Sequence, residues 1–433
     1  MEPEIAKPKA AEIKVSAMAE HLIGSEILKI AAEVNEKIRK GEKIYNFTVG
    51  DFDSNIFPLP EELKSDIIDA YHTNQTNYPP SDGVLALRQA VSRYLHATLE
   101  LQYSPSDEII IAGGARPIIY SAYRALVDPG DYVLYPVPSW NNNHYIHQVG
   151  AKGIEVEASP ENNFMPTAED IKPHIGKVTL ISLCSPQNPT GTMFTYKGLH
   201  DICRLIVDEN YRRGEEGRKP VYLLFDQVYC QLTFAGTTHY NPVTMFPEMR
   251  DYTVFVDGIS KFLSATGVRV GWSMGNKKII ERMKSIIGHV GAWAPKAEQV
   301  AVAKYLDNIP HVTKFLNRFK ENIYERLEEF YKGFTQLKQE GFSVDAIKPQ
   351  GAIYLTVNLD LAGMKTATGT ALTDSESIMR YLLDEAHVAL VPFYAFGGSV
   401  KSPWFRLSVG TSKVNEIPDV INRLRTALQQ LKK

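Results

Sequence analysis

The sequence predicts an α/β protein: a large domain with a mostly parallel central sheet covered by helices, plus a smaller α+β domain built from both chain ends. Three observations predict it. Short apolar runs of strand length alternate with amphipathic stretches between residues 108 and 256, the pattern of strands buried on both faces beneath helices. A mainly helical region follows, from 276 to about 337. After it, short strands mix with helices. With 433 residues, 44% of them hydrophobic, the chain is long enough for two or three domains.

In chain order, residues 1–15 mix charges with proline, carry no apolar segment of the signal-peptide kind, and read as a mobile arm. SEILKIAAEVNEKIRK, residues 25–40, has apolar residues at helical spacing, with Gly41 as its stop. The irregular stretch YNFTVGDFDSNIFPLP precedes a second helix at 61–71. Strands are expected at 108–112, 132–135, 178–184, 221–225 and 252–256. Pro295 and Pro310 interrupt the helical region, and a long helix near 310–337 connects the two domains. Strands near 352–357, 388–391 and 405–409 and a helix from about 413 complete the chain. The loops RRGEEGRKP and AGMKTATGTALTDSES read as solvated excursions, the second also as a candidate border of the active site. The expected division is 57–330 for the large, cofactor-binding domain, and 1–56 with 331–433 for the small one.

A net charge of −3 gives no reason to expect nucleic acid or an acidic membrane surface as partner. No run of about 18 apolar residues suggests a membrane span. Cys184, Cys203 and Cys230 lack CxxC spacing and cannot all pair, so reduced thiols in a cytoplasmic protein are expected. No metal is expected.

Ligands of open α/β sheets bind beyond the carboxyl ends of the strands, and the unusual residues fall there. VYLLFDQVY places Asp226 directly after an apolar run, where a carboxylate is costly to bury without a cation. Alone, it reads equally as a helix N-cap or a surface turn. Further on, DGISKFLSATGVRVGW sets Lys261 and Arg269 eight residues apart, with an apolar strand before, a small-residue loop between, and the arginine returning into another strand. A lone lysine is normally solvated; this setting is unusual. Upstream, SPQNPTGTMF follows the strand ending at Cys184, and IIIAGGARPIIY has the form strand, glycine turn, helix start, which offers free N–H groups to a phosphate. No G-x-G-x-x-G opens a helix after a strand, which argues against a nicotinamide dehydrogenase.

Taken in order, NPTG, DxxY and the SK…R spacing resemble the class I/II aminotransferases, of the aspartate aminotransferase-like, fold type I kind, from about Ile44 to the C-terminus. The resemblance implies pyridoxal 5'-phosphate as cofactor, held as a Schiff base on Lys261. It implies Asp226 as the carboxylate facing the pyridine nitrogen, and Tyr229 with Asn188 as donors to the phenolic oxygen. Trp140, in VPSWNNNHY, matches the aromatic that stacks on the ring. Arg269 with the glycine turn at Gly114 and the N–H groups of Ala115 and Arg116 matches the phosphate cradle, with Ser260 or Ser264 as further donors. Tyr78, in TNYPPSDGVLALR, matches a tyrosine that reaches the phosphate from a neighbouring subunit, which implies a homodimer with shared sites. Arg406, in WFRLSVG, matches the arginine for the substrate α-carboxylate, and Gly50, in FTVGDF, a backbone contact to the same group; Trp140 and Asn188 border the substrate as well.

Two positions depart from the family pattern. Gly258 stands where relatives often carry serine, and Pro392-Phe393 replaces a proline-glycine, bringing Phe393 or Tyr394 towards the site. The implied reaction moves the α-amino group of an amino acid, aspartate being favoured, to a 2-oxo acid such as 2-oxoglutarate. An acidic substrate requires a second cation, worth about 1.5–3 kcal/mol for one charge-assisted hydrogen bond; Arg116, His289 and Lys296 are the candidates. Trp140 and Trp293 would suit an aromatic substrate instead, and His144 is a candidate support for Asp226. The same residues would serve a β-lyase or decarboxylase. A non-enzymatic ligand-sensing domain is the remaining alternative, disfavoured because only about twenty residues precede the first helix.

Overall fold

The computed structural model describes residues 13–234 and 236–433; most of the arm expected over 1–15 therefore lies outside the described residues. The strands are β1 (Tyr45–Asn46), β2 (Ile109–Ala112), β3 (Tyr132–Val137), β4 (Lys152–Glu157), β5 (Val178–Cys184), β6 (Tyr222–Asp226), β7 (Thr253–Gly258) and β8 (Gly271–Met274), followed by β9 (Val344–Ala346), β10 (Tyr354–Leu359), β11 (Val388–Ala389), β12 (Val391–Pro392) and β13 (Trp404–Ser408).

The central sheet has the order β2-β8-β7-β6-β5-β3-β4. β7, β6, β5, β3 and β4 pair in parallel, while β8 runs antiparallel to both β7 and β2. Two reversals cancel, so β2 points the same way as the parallel strands. The carboxyl ends of β2, β3, β5, β6 and β7 thus share one edge with the amino end of β8. Successive side chains of a strand point to opposite faces, and each face has its own core. Ile109, Ile111, Leu223, Phe225 and Phe255 pack in one; Ile110, Ala112, Leu224, Val254 and Val256 pack in the other. Burial on both sides explains why these strands read as continuous apolar runs.

Helix Ala115–Leu126 starts directly after the glycine turn, with Gly114 as its N-cap. The expected helical region is three helices, Lys277–Val290, Lys296–Leu306 and Ile309–Gln339. Pro295 caps the second, and Pro310 sits in the first turn of the third, where its missing N–H breaks no helical bond. The antiparallel sheet β12-β13-β10-β9 packs on that long helix together with the closing helix Ile417–Gln430. The two helices approach closely: a Cβ on Gly333 would lie 2.5 Å from Ile421 Cδ1.

The 388–391 strand proves to be two. β11 pairs in parallel with β1, whereas β12 pairs with β13, so the chain changes sheet at Leu390. Among the described residues no helix is long and apolar enough to cross a membrane.

Candidate active site

A cavity of about 490 Å³ opens at the shared sheet edge. β6 delivers Asp226, and the loop after β5 delivers Asn188. The short helix Ile259–Phe262 after β7 delivers Ser260 and Lys261. Arg269 enters just ahead of β8, and this works only because β8 is antiparallel. Ala115 and Arg116 enter from the first turn after β2, and Trp140 from the loop after β3. Gly50, and Arg406 from β13, close the other side.

Lys261 Nζ donates to the Gly50 carbonyl at 2.7 Å. Burial lowers its affinity for a proton, giving a pKa of about 8; Asp51 and Asp226 oppose this, and Arg406 and Arg116 reinforce it. An appreciable fraction of the amine is therefore neutral near pH 7, as a nucleophile or proton carrier requires. Asp226 accepts from Val228 N at 3.0 Å, yet burial raises its pKa to about 7. A half-buried carboxylate with a single backbone donor is a receptor for a cation.

Tyr229 is buried, and its hydroxyl shares a 2.6 Å hydrogen bond with that of Tyr354 on β10. Arg406 is only 2% exposed. Its Nη1 donates to Asn188 Oδ1 at 2.9 Å and its Nη2 to the Thr48 carbonyl at 2.6 Å, while Nε is buried without a partner among the described residues. The guanidinium lies against the rings of Tyr354 and Phe396, 4.7 and 4.8 Å from their centroids. Such a planar cation is built to receive a carboxylate.

Arg269 donates to the carbonyls of Thr266 and Gly113 at 2.7 and 2.8 Å. Its Cζ would lie 2.8 Å from a Cβ on Gly114, so glycine is what allows the guanidinium to lie on the helix N-terminus. Cation and free N–H groups together form an anion cradle. Gly258 likewise has no room for a side chain, since a Cβ would meet Gly271 Cα at 2.7 Å. Ser260 lines the cavity, whereas Ser264 Oγ donates to the Phe57 carbonyl at 2.7 Å. The loop carrying Trp140 is tied to β5 through Asn142, whose Oδ1 accepts from Ser182 Oγ at 2.8 Å and Tyr123 OH at 3.0 Å.

A pyridoxal phosphate fits this set of groups. The cradle left open by Gly114 suits its phosphate, Asp226 a protonated ring nitrogen, Tyr229 and Asn188 its phenolic oxygen, and Lys261 its aldehyde. Among the described residues no cluster of three or more His, Cys, Asp or Glu side chains is placed to hold a metal.

Some predicted residues stand apart. Tyr78 is 82% exposed and lies outside the cavity, its ring 5.3 Å from that of Trp293. Lys296 donates to Asn77 Oδ1 at 2.6 Å and His289 is exposed; neither lines the cavity, whereas Arg116 does, 4.8 Å over the Trp140 ring. His144 lines a smaller neighbouring cavity and makes no hydrogen bond to Asp226 among the described residues. Phe393 is buried against Phe164.

Sequence reasoning singled out neither Tyr354 nor Asp51, both at the cavity wall. A tyrosine within the buried strand AIYLTV was the available signal, because a buried hydroxyl must find a partner. Beneath the site, Asp257 is buried and its pKa is raised to about 7, chiefly by burial. It accepts from Gly258 N at 2.7 Å and Gln227 Nε2 at 3.4 Å.

Comparison with known proteins gives a consistent result. The family described as aminotransferase class I and II matches residues 42–424. The chain is similar to the aspartate aminotransferase of Bacillus sp. (strain YM-2), 30% identical over 411 residues, which span 93% of this chain and 96% of that protein. The crystal structure of the aspartate aminotransferase from Rhizobium meliloti superimposes with a TM-score of 0.88 at 28% identity, covering 97% of this chain and 100% of the other. The Thermus thermophilus aspartate aminotransferase solved with maleate gives 0.84 at 25% identity, covering 96% and 100%.

Proposed function

The chain belongs to the class I and II aminotransferase family, and from that premise we propose that it moves the α-amino group of aspartate to a 2-oxo acid, 2-oxoglutarate foremost, with Lys261 as the cofactor lysine. Family membership makes it a pyridoxal-phosphate-dependent transferase acting on amino acids and 2-oxo acids. The observation that carries the rest is the convergence of Lys261, Asp226 and Arg406 on one cavity.

The bound cofactor supplies an electron sink for the charge left when Cα loses its proton. Asp226 strengthens that sink by keeping a positive charge on the ring nitrogen favourable. Lys261, once free, is an amine beside Cα and carries the proton. Arg406 exchanges Asn188 and Thr48 for the substrate α-carboxylate and offers its unpartnered Nε as well, which fixes the orientation of Cα. Tyr229, held in place by Tyr354, would offer its hydroxyl to the cofactor's phenolic oxygen. Trp140 would cover the ring, Arg269 and Ser260 would hold the phosphate, and Arg116 on the rim would be the cation for a side-chain carboxylate.

Aspartate is favoured by the relatives named for it and by Arg116. Tyr78, exposed together with Ile68, Tyr71 and Val290, supports a homodimer in which Tyr78 completes the neighbour's site. Residues 57–330 are read as the large domain and 1–56 with 331–433 as the small one, in a cytoplasmic enzyme.

The test is the visible spectrum of the cofactor-loaded protein while single amino acids are added without a 2-oxo acid. A band that bleaches with aspartate or glutamate, returns with 2-oxoglutarate and is missing in Lys261→Ala supports the proposal. Bleaching by aromatic or neutral amino acids alone overturns the substrate, and a Lys261→Ala variant that still transaminates overturns the lysine.

A further inference from the structure

We propose that Asp51 is a positioning residue for Lys261: anchored on Thr266, its carboxylate fixes the Lys261–Arg269 loop and sets a negative charge beside the lysine amine. Asp51 lines the same cavity as Lys261 and has no part in the roles assigned above. Its Oδ1 accepts from Thr266 Oγ1 at 2.7 Å and from Phe52 N at 2.8 Å. Thr266 lies inside the loop between Lys261 and Arg269, and its carbonyl accepts from Arg269 Nη1 at 2.7 Å. The preceding residue, Gly50, accepts from Lys261 Nζ. Two adjacent hydrogen bonds, 50 to 261 and 51 to 266, therefore fasten together segments more than 200 residues apart in sequence.

The anchor is itself held. Asp53 N donates to the Gly410 carbonyl at 2.9 Å, and Gly410 leaves no space for a Cβ beside the Asp51 carbonyl. The backbone that carries the Asp51 side chain is therefore held against the Gly410 turn.

The charges facing Lys261 are Asp51 and Asp226 on one side of the balance and Arg406 and Arg116 on the other, with the Tyr229 ring 5.7 Å from Nζ. After burial, Asp51 exerts the largest influence on the amine, ahead of Asp226. Asp226 is committed to the cofactor ring, so Asp51 is the carboxylate left to oppose the two arginines. Without it, the Lys261 nitrogen gives up its proton at lower pH.

The inference rests on Lys261 as the cofactor lysine, and the experiment separates the two. Asp51→Asn keeps an oxygen for Thr266 and removes the charge; Thr266→Val keeps the charge and removes the anchor. Two quantities are read: the pH midpoint of the visible band of the loaded enzyme, and the pH midpoint of the rate at which cofactor-free protein captures pyridoxal phosphate. Asp51→Asn is expected to lower both midpoints by about one unit, and Asp51→Glu to restore them. Thr266→Val is expected to slow capture several-fold with the midpoints unmoved. Should Asp51→Asn not fold, Asp51→Ser carries the same expectation. Wild-type midpoints in a folded, uncharged variant would overturn the proposal, while loss or survival of the band in Lys261→Ala bears on the lysine alone.

Discussion

Gly114→Ala is expected to weaken cofactor retention by one to two orders of magnitude while leaving the protein folded. Gly114 has φ +93° and ψ −178°, a region that is almost exclusively glycine's. Alanine there costs about 1–3 kcal/mol of folding stability. The second effect is local. The new Cβ would lie 2.8 Å from Arg269 Cζ and 3.1 Å from Nη1, so the guanidinium must leave the helix N-terminus. Moving it breaks the bonds to Thr266 and Gly113 and withdraws a charge-assisted donor from the phosphate cradle. One such bond is worth about 1.5–3 kcal/mol, or about 10–150-fold in Kd. The assay is titration of cofactor-free protein with pyridoxal phosphate, followed by its visible band, beside thermal unfolding of the same sample. Arg269→Ala should show the same loss of affinity without the backbone strain. A lowered Tm with wild-type affinity in Gly114→Ala would refute the phosphate role of Arg269.

Two further perturbations separate other parts of the site. Arg406→Lys replaces a planar fork by a point charge, so KM for the amino acid should rise about 10–150-fold while cofactor affinity stays unchanged; steady-state kinetics beside a cofactor titration would show it. Asp257 has a folded pKa of about 7 against about 3.9 unfolded, so the folded form holds the extra proton between those values and loses stability as pH rises through them. Asp257→Asn should therefore gain on the wild type from pH 4 to 7 in urea unfolding, and parallel curves would contradict the assignment. His239, lowered to about 4 by burial, slopes the other way in both proteins and cancels.

What was legible in the sequence was what burial writes locally. β2, β3, β5, β6 and β7 are covered on both faces and so appear as apolar runs, and Asp226, Asn188 and Lys261 follow their ends closely in the chain. β4 escaped notice because KGIEVE is an edge strand, mostly solvated and charged. β9 is three residues long and too short to show a period. The split of 388–391 between two sheets was hidden, since residues buried in either sheet look alike. The pairs Tyr229–Tyr354 and Asp51–Thr266 span 125 and 215 residues, and no local pattern announces a partner so far away. Family resemblance supplied Arg406 and Gly50, for which spacing alone gave no reason.

The reversed strand β8 also limits how this protein can change. Its register with β7 is locked at Gly258↔Gly271, and Gly271 is pressed against the turn before the helix, where a Cβ would meet Gly114 Cα at 2.9 Å. A one-residue slip in that pairing would turn the side chains of β8 to the wrong face, and a side chain added at either glycine would push the backbones apart. Evolution, or an engineer in search of a new substrate, has little latitude in that pairing. The mouth of the cavity is freer: exposed Arg116, half-buried Trp140 and the outward Leu28 of helix Glu26–Arg39 can be exchanged without touching a strand. Lineages descended from this chain should therefore diversify in diet at the rim while the β7–β8 pairing keeps its register and its two glycines.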